Sequence, residues 1–256
     1  MRLKLTLNHR PNAVLSLNYA YALQAVIYKV LERADPQFSR WLHERGYEVS
    51  GRNFKLFTFG ELRGLPFFID KVAKTICYRG NTLTWYVSFC VDEGVETFIS
   101  GLFQDQILEV MTPEGRIHCT VAGVEMQTLP EFEETMQYRA LTPICITEQS
   151  ETDKYPQFRS PLDGSFEQLF FNNLDYKTKA AFGSSPTPTE LSFRLLSEPR
   201  MKGLLTHKRH LVKPIKTIGY TFDFELTAPI EWQMLGYNAG FGGKNSSGFG
   251  FCDVLK

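Results

Sequence analysis

The sequence predicts an α+β protein made of two tandem ferredoxin-like (βαββαβ) domains, and three observations carry that prediction. Up to about residue 125, stretches of period-two and period-3.6 hydrophobicity follow one another in the order β-α-β-β-α-β. After a polar stretch over 129–137, which holds Pro130 and reads as a linker, a similar order begins again. The chain has 256 residues, 43% of them hydrophobic, enough for two cores of about 100 to 150 residues each. The expected domains are 1–127, holding the candidate catalytic residues, and 138–256, holding a glycine-rich loop.

Taken in order, Leu3, Leu5 and Leu7 alternate with Lys4 and Thr6, the pattern of a half-buried first strand. Pro11-Asn12 ends it. Asn18 is placed to cap a helix running to about residue 33, with Leu23, Val26, Ile27, Val30 and Leu31 as its apolar stripe. Tyr21, Gln24 and Tyr28 run beside that stripe. Asp35-Pro36 opens a second short helix with proline at its first position, ending near Arg45-Gly46 and carrying His43. Residues 54–59 read as a strand and 65–69 as a further extended stretch. Residues 75–78 and 83–91 read as a hairpin across Gly80-Asn81. Asp92 caps a helix to about residue 103, and strands follow at 107–111 and 117–124. In the second domain, strands are expected at 141–147, 190–196, 218–226 and 249–255. Helices are expected at 165–182 and, opened by Pro229, at 229–235.

Charge narrows the function. Lysine plus arginine and aspartate plus glutamate number 28 each, so the net charge is zero. A nucleic-acid binder with this balance must use a local patch, because a basic domain is the usual footprint. One such patch is on offer. Between residues 200 and 216 stand Arg200, Lys202, Lys208, Arg209, Lys213 and Lys216, with His207 and His210 and no acid. The run is equally a solvated charged hairpin. Cys77, Cys90, Cys119, Cys145 and Cys252 are odd in number and widely spaced, which argues against a disulfide framework or a cysteine-rich zinc site. No metal or cofactor is expected. The alternating N-terminus has no signal-peptide core and no apolar run reaches membrane length, so a cytoplasmic protein without a membrane partner is expected.

The most specific stretch is the tail. Residues 236–251 hold six of the nineteen glycines, together with Lys244. Glycine reaches positive φ freely, so such a run either cradles an anion with backbone N–H groups or forms a tight hairpin before a last strand. Three familiar motifs fail. A P-loop needs glycine where Asn238 stands and serine or threonine where Asn245 stands. The dinucleotide fingerprint meets Asn245 at its third glycine. Ser247–Val254 approaches the RNP1 pattern, but that strand is followed by a helix and another strand, and this sequence stops.

What the tail does contain is glycine–apolar–glycine twice, Gly240-Phe241-Gly242 and Gly248-Phe249-Gly250, five residues apart, with Gly243 and Lys244 between. This resembles the C-terminal glycine-rich loop of the CRISPR-associated repeat-processing endoribonucleases of the RAMP superfamily. The first quarter of the chain is similar to the same family. Tyr28 ends a Leu23-Gln24-Ala25-Val26-Ile27-Tyr28 run on the first helix, His43 lies in Leu42-His43-Glu44, and Lys55 opens Lys55-Leu56-Phe57-Thr58. Gly64-Leu65-Pro66 before two phenylalanines also matches, whereas the stretch from about 90 to 200 adds nothing. The residues 46–53 between His43 and Lys55 depart from the pattern.

The resemblance implies a metal-independent endoribonuclease acting on CRISPR repeat RNA, with Tyr28, His43 and Lys55 as catalytic residues. The glycine-rich tail is then expected to contact RNA through Gly240, Gly242, Gly243, Lys244, Gly248 and Gly250, and the basic run through Arg200, Lys202, Lys208 and Arg209. The guide RNAs would pass to an interference complex, and a homodimer is a further assembly to test. The residue types suit the chemistry. The 2′-OH upstream of the break attacks phosphorus, leaving a 2′,3′-cyclic phosphate and a 5′-OH. This needs a base, an acid and a cation for the phosphorane. Histidine can take either proton role, lysine the charge role, and tyrosine donates or orients; acid and base stay unassigned between Tyr28 and His43. Taken singly, each has a plainer reading: Tyr28 as a helix-flank packing residue, His43 beside a C-terminal helix dipole, Lys55 on a solvent face. Two other functions share the fold: a repeat-RNA binder that does not cut, and a RAMP-type subunit coating guide RNA.

Overall fold

Leu3, Leu5 and Leu7 are at most 1% exposed, so the first strand lies at the centre of a sheet. The computed structural model describes residues 1–149, 155–206 and 215–255. It forms two units, Met1–Glu44 with Phe59–Thr128, and Arg45–Thr58 with Leu129–Lys256.

The chain begins with β1 (Arg2–His9), β2 (Ala13–Ser16), α1 (Ala20–Ala34) and α2 (Pro36–Glu44). Then come β3 (Tyr47–Val49), β4 (Arg52–Phe54), β5 (Phe57–Phe59), β6 (Phe67–Asp70), β7 (Thr75–Tyr78) and β8 (Thr82–Phe89). The first unit closes with α3 (Asp92–Gln104), β9 (Ile107–Thr112) and β10 (Gly115–Met126). Its main sheet has the order β5-β8-β1-β10-β9. Omitting the outer β9, the order is second, third, first and last strand, and α1 and α3 pack on it through Val26, Ile27 and Val30 and through Val95, Phe98 and Leu102. That is the expected βαββαβ unit.

Local details differ from the sequence reading. The α1 helix starts after Tyr19 with no side-chain cap, so Asn18 does not cap it. Asp92 is likewise inside α3, one residue past an uncapped start at Val91. The stretch 75–78 does not pair with 83–91. Instead β7 lies between β2 and β6 in a separate three-stranded sheet, and β8 joins β1. Ile76 and Tyr78 of β7 are buried, as are Leu83, Trp85 and Val87 of β8, so burial alone does not set the pairing. The stretch 54–59 is two strands, broken where Leu56 takes a φ of 52°. Lys55 therefore sits in a connection.

The second unit adds β11 (Thr135–Ala140), β12 (Ile146–Glu148), β13 (Gln157–Arg159), α4 (Phe166–Phe182), β14 (Ser192–Leu195), β15 (Arg200–Thr206), β16 (Ile215–Thr221), β17 (Asp223–Thr227), α5 (Ile230–Ala239) and β18 (Cys252–Val254). Its sheet, β14-β17-β11-β18, repeats the second-third-first-last order. The fold is thus two ferredoxin-like repeats. The first strand of the repeat is β11, not 141–147. It runs into the stretch read as linker, because Met136, Tyr138 and Ala140 alternate inward between polar residues. The stretch 218–226 is also two strands: β16 pairs with β15 in a hairpin, while β17 enters the sheet. Helix α5 runs four residues past the expected end, straight through Gly236. The Phe241 ring lies against that glycine so closely that a Cβ there would collide with it. Phe241 continues into a cluster with Tyr138, Phe170 and Phe224, stacked on Phe170 at 5.8 Å.

Candidate functional site

Two sequence-predicted residues meet in the first unit. Asp35 precedes proline and is held extended (φ −145°, ψ 96°), which ends α1. Its carboxylate then accepts the Gln37 and Phe38 N–H groups at 2.9 Å, starting α2 at once. The second helix folds back on the first, and the Ser39 hydroxyl donates to the Tyr28 carbonyl at 3.1 Å. This places the His43 ring edge-on to the Tyr28 ring, with centroids 4.9 Å apart and planes at 81°. Tyr28 is half-buried and His43 exposed. Burial pushes the Tyr28 hydroxyl well above its ordinary value, so at neutral pH it is a proton holder and hydrogen-bond donor, not a phenolate.

Lys55 belongs to the second unit. The segment before it, read from sequence as a departure, is the β3–β4 hairpin. It closes on Ser50 and Gly51, both at positive φ, in the two-residue turn such hairpins favour. The hairpin is fixed to α4, where Arg52 lies 4.5 Å over the Tyr176 ring. Lys55 then opens onto a cleft of about 360 Å³ lined by Lys55, Lys177, Lys244, Asn53, Ser246 and Ser247, with no carboxylate among its lining residues. Partial burial lowers the pKa of Lys55, a cost to its charged form that a bound anion would offset. Sequence spacing gave no sign that Lys55 and Lys244 share a cleft.

The glycine loop that carries Lys244 is held by residues the sequence reading missed. Lys177 of α4, 1% exposed, donates to the Gly240 and Gly242 carbonyls and to Asn245 Oδ1. Asn245 Nδ2 in turn donates to the carbonyls of Phe241 and Phe249 at 3.0 and 3.1 Å. Gly240, Gly242, Gly248 and Gly250 all hold positive φ. At Gly250 a side chain is also impossible sterically, because its Cβ would strike the Phe241 carbonyl. The N–H groups of Gly243, Gly248 and Gly250 donate to the carbonyls of Cys145, Asn245 and Pro143, so these three are already engaged within the protein. What the loop offers the cleft is the exposed Lys244, itself in left-handed backbone (φ 59°), with Ser246 and Ser247.

Replacing Lys177 by methionine keeps the apolar stem and removes the ammonium from two glycine carbonyls and Asn245. Losing a charged partner at a buried site costs about 3 kcal/mol. The melting temperature of Lys177→Met should therefore fall by roughly 6–12 °C, read by circular dichroism.

Arg200 and Lys202 stand exposed two apart on β15, on one face of the β15–β16 hairpin, and Lys216 lies across from Leu205 on the other face. Lys208, Arg209, Lys213, His207 and His210 lie outside the described residues. Among the described residues, no three His, Cys, Asp or Glu side chains are grouped to hold a metal ion. No described helix is long and apolar enough to cross a membrane.

Residues 14–119 match the family model "CRISPR-associated protein Cas6, N-terminal", and residues 127–254 match "CRISPR associated protein Cas6, C-terminal". The chain belongs to the Cas6 family. The N-terminal Cas6 match spans Tyr28, His43 and Lys55, and the C-terminal one spans Lys177 and the whole glycine loop. A protein of Pyrococcus furiosus named CRISPR-associated endoribonuclease Cas6 is 26% identical over 93% of this chain and 82% of its own length. A Methanocaldococcus jannaschii protein named CRISPR-associated endoribonuclease Cas6 1 is 26% identical over 98% of this chain and 91% of its own. A solved structure described as "CRISPR associated protein Cas6" superposes with a TM-score of 0.78 at 25% identity, covering 100% of this chain and 99% of that one. A Cas6-related structure from Pyrococcus furiosus has the same fold, with a TM-score of 0.83 at 19% identity over 100% of this chain and 98% of its own.

Proposed function

We propose that this chain is an endoribonuclease that cuts CRISPR repeat RNA without a metal, through attack of the 2′-OH on the adjacent phosphorus. The observation that carries the reading is the pairing of the Tyr28 and His43 rings. In the step, the 2′-O–P bond forms and the P–O5′ bond breaks. The 2′-OH proton passes to a base and the leaving 5′ oxygen takes one from an acid, leaving a 2′,3′-cyclic phosphate and a 5′-OH. His43 is assigned one of these two proton roles and solvent water the other. Tyr28, whose hydroxyl burial keeps protonated, donates a hydrogen bond that orients the phosphate. Lys55 supplies the positive charge that the phosphorane needs, and Lys244, in the same carboxylate-free cleft, holds a neighbouring backbone phosphate. The basic strand Arg200–Thr206 extends the RNA contact. Two relatives named as Cas6 endoribonucleases, each aligned along most of this chain, support the reading. The released guide RNAs would pass to an interference complex.

Incubation with repeat RNA in EDTA tests it directly. Two fragments are expected, the upstream one ending in a cyclic phosphate and the downstream one in a 5′-OH. Binding without turnover would instead make the chain a repeat-RNA carrier. Activity lost in EDTA and restored by magnesium would mean that a metal-activated water does the cutting.

A further inference from the structure

The β6–β7 hairpin of the first unit carries an aromatic and cationic surface that the cleavage chemistry does not use. Phe67, Phe68 and Ile69 on β6 are between 41% and 53% exposed, and Val72 at the turn is 95% exposed. Strand β6 is an edge, paired only to β7 in its sheet. On the outer face, Phe68 stands opposite Cys77, and the Arg79 guanidinium lies 5.6 Å over the Phe68 ring. The Arg79 backbone N–H donates to the Pro66 carbonyl, which extends the β6–β7 pairing one step beyond the strand. From 63 to 79 there are four cations, Arg63, Lys71, Lys74 and Arg79, against one acid, Asp70, in a chain whose charges balance. The Asp70 carboxylate is already engaged, accepting the Val72 and Ala73 N–H groups at 2.9 Å in the turn.

An exposed ring backed by a guanidinium and flanked by lysines fits one class of occupant. Single-stranded nucleic acid presents a base face to the ring and phosphates to the cations, and such stacking tolerates any base. An apolar protein partner would leave these cations unmatched. We propose that Phe68 and Arg79 form a base-stacking platform for single-stranded RNA on the β6–β7 hairpin, outside the cleavage site. The proposal rests on the RNA-processing reading above and adds a contact to it.

Fluorescence anisotropy with a labelled oligoadenylate of about 12 nucleotides tests the platform without requiring a repeat sequence. Phe68 is half exposed, so its replacement should leave thermal melting unchanged. Phe68→Ala and Phe68→Leu should each weaken binding by roughly 5- to 150-fold, the range for losing one stacked base, whereas Phe68→Trp should bind as tightly as wild type or tighter. Arg79→Ala should also weaken binding. Wild-type affinity in Phe68→Leu would overturn the platform, because leucine keeps the apolar area and loses the π face. So would equal affinity in all the variants. Cleavage of repeat RNA by the wild type is assayed on the same preparation. A protein that stacks the oligoadenylate in this Phe68-dependent way but cuts no repeat RNA supports the platform and overturns the nuclease reading.

Discussion

Repeat RNA carrying a single 2′-deoxy nucleotide just upstream of the cut is expected to bind with nearly unchanged affinity and not to be cleaved. In the proposed route the nucleophile belongs to the substrate. Removing one oxygen then removes the attacking group, while the phosphates that meet Lys55 and Lys244 remain in place. The 2′-OH is also the group by which a protein tells RNA from DNA, so one lost hydrogen bond should change binding only several-fold. A mechanism using an activated water would predict the reverse, since its nucleophile survives the substitution. The comparison is made by measuring affinity and single-turnover rate on the matched ribo and deoxy substrates. Product at the original position from the deoxy RNA would exclude 2′-OH attack, however well the rest of the site behaves.

Much of the fold could be read because its signals are local. Leu3, Leu5 and Leu7 mark β1, the stripe from Leu23 to Leu31 marks α1, and Asp35-Pro36 marks the sharp turn that brings His43 back to Tyr28. What escaped depends on partners far along the chain. Strand β11 was hidden because its inward residues, Met136, Tyr138 and Ala140, follow an acidic stretch and alternate with polar ones. The choice of β7 for β2 and β6 over β8 is a matter of tertiary pairing, which a turn signal at Gly80-Asn81 cannot decide. The site divides in the same way. Tyr28 and His43 were legible by motif and helix geometry, and the glycine loop by composition. The joining of Lys55 to Lys244 needed the fold. One signal was present and unused: Lys177 lies on the stripe of Phe166, Phe170, Leu174 and Thr178 in α4, where a lysine is out of place unless something accepts its protons. The glycine carbonyls and Asn245 do so. The loop's glycines are thus explained in part by the need to turn carbonyls inward to an ammonium, and in part by the close approach of Phe241.

His43→Ala should slow single-turnover cleavage by roughly 10²- to 10⁴-fold, the range for losing a general acid or base, with little change in affinity. The ring is exposed and at the end of α2, so the substitution removes few packing contacts and should not shift the melting temperature by more than a degree or two. That separates a chemical from a structural role. Tyr28→Phe should cost less, because it keeps the ring that faces His43 and loses only an orienting hydroxyl. Burial keeps that hydroxyl protonated to well above its ordinary value of about 10, so Tyr28 contributes no ionisation below that pH. The pH–rate profile of Tyr28→Phe should therefore have the same shape as wild type, merely displaced downward. Lys55→Ala should lower the rate more than the affinity if its charge meets the phosphorane and not the ground-state phosphate. The ordering of the three effects is the decisive readout: full activity in His43→Ala would leave cleavage without the proton carrier assigned here, and the assignment of this site would fail.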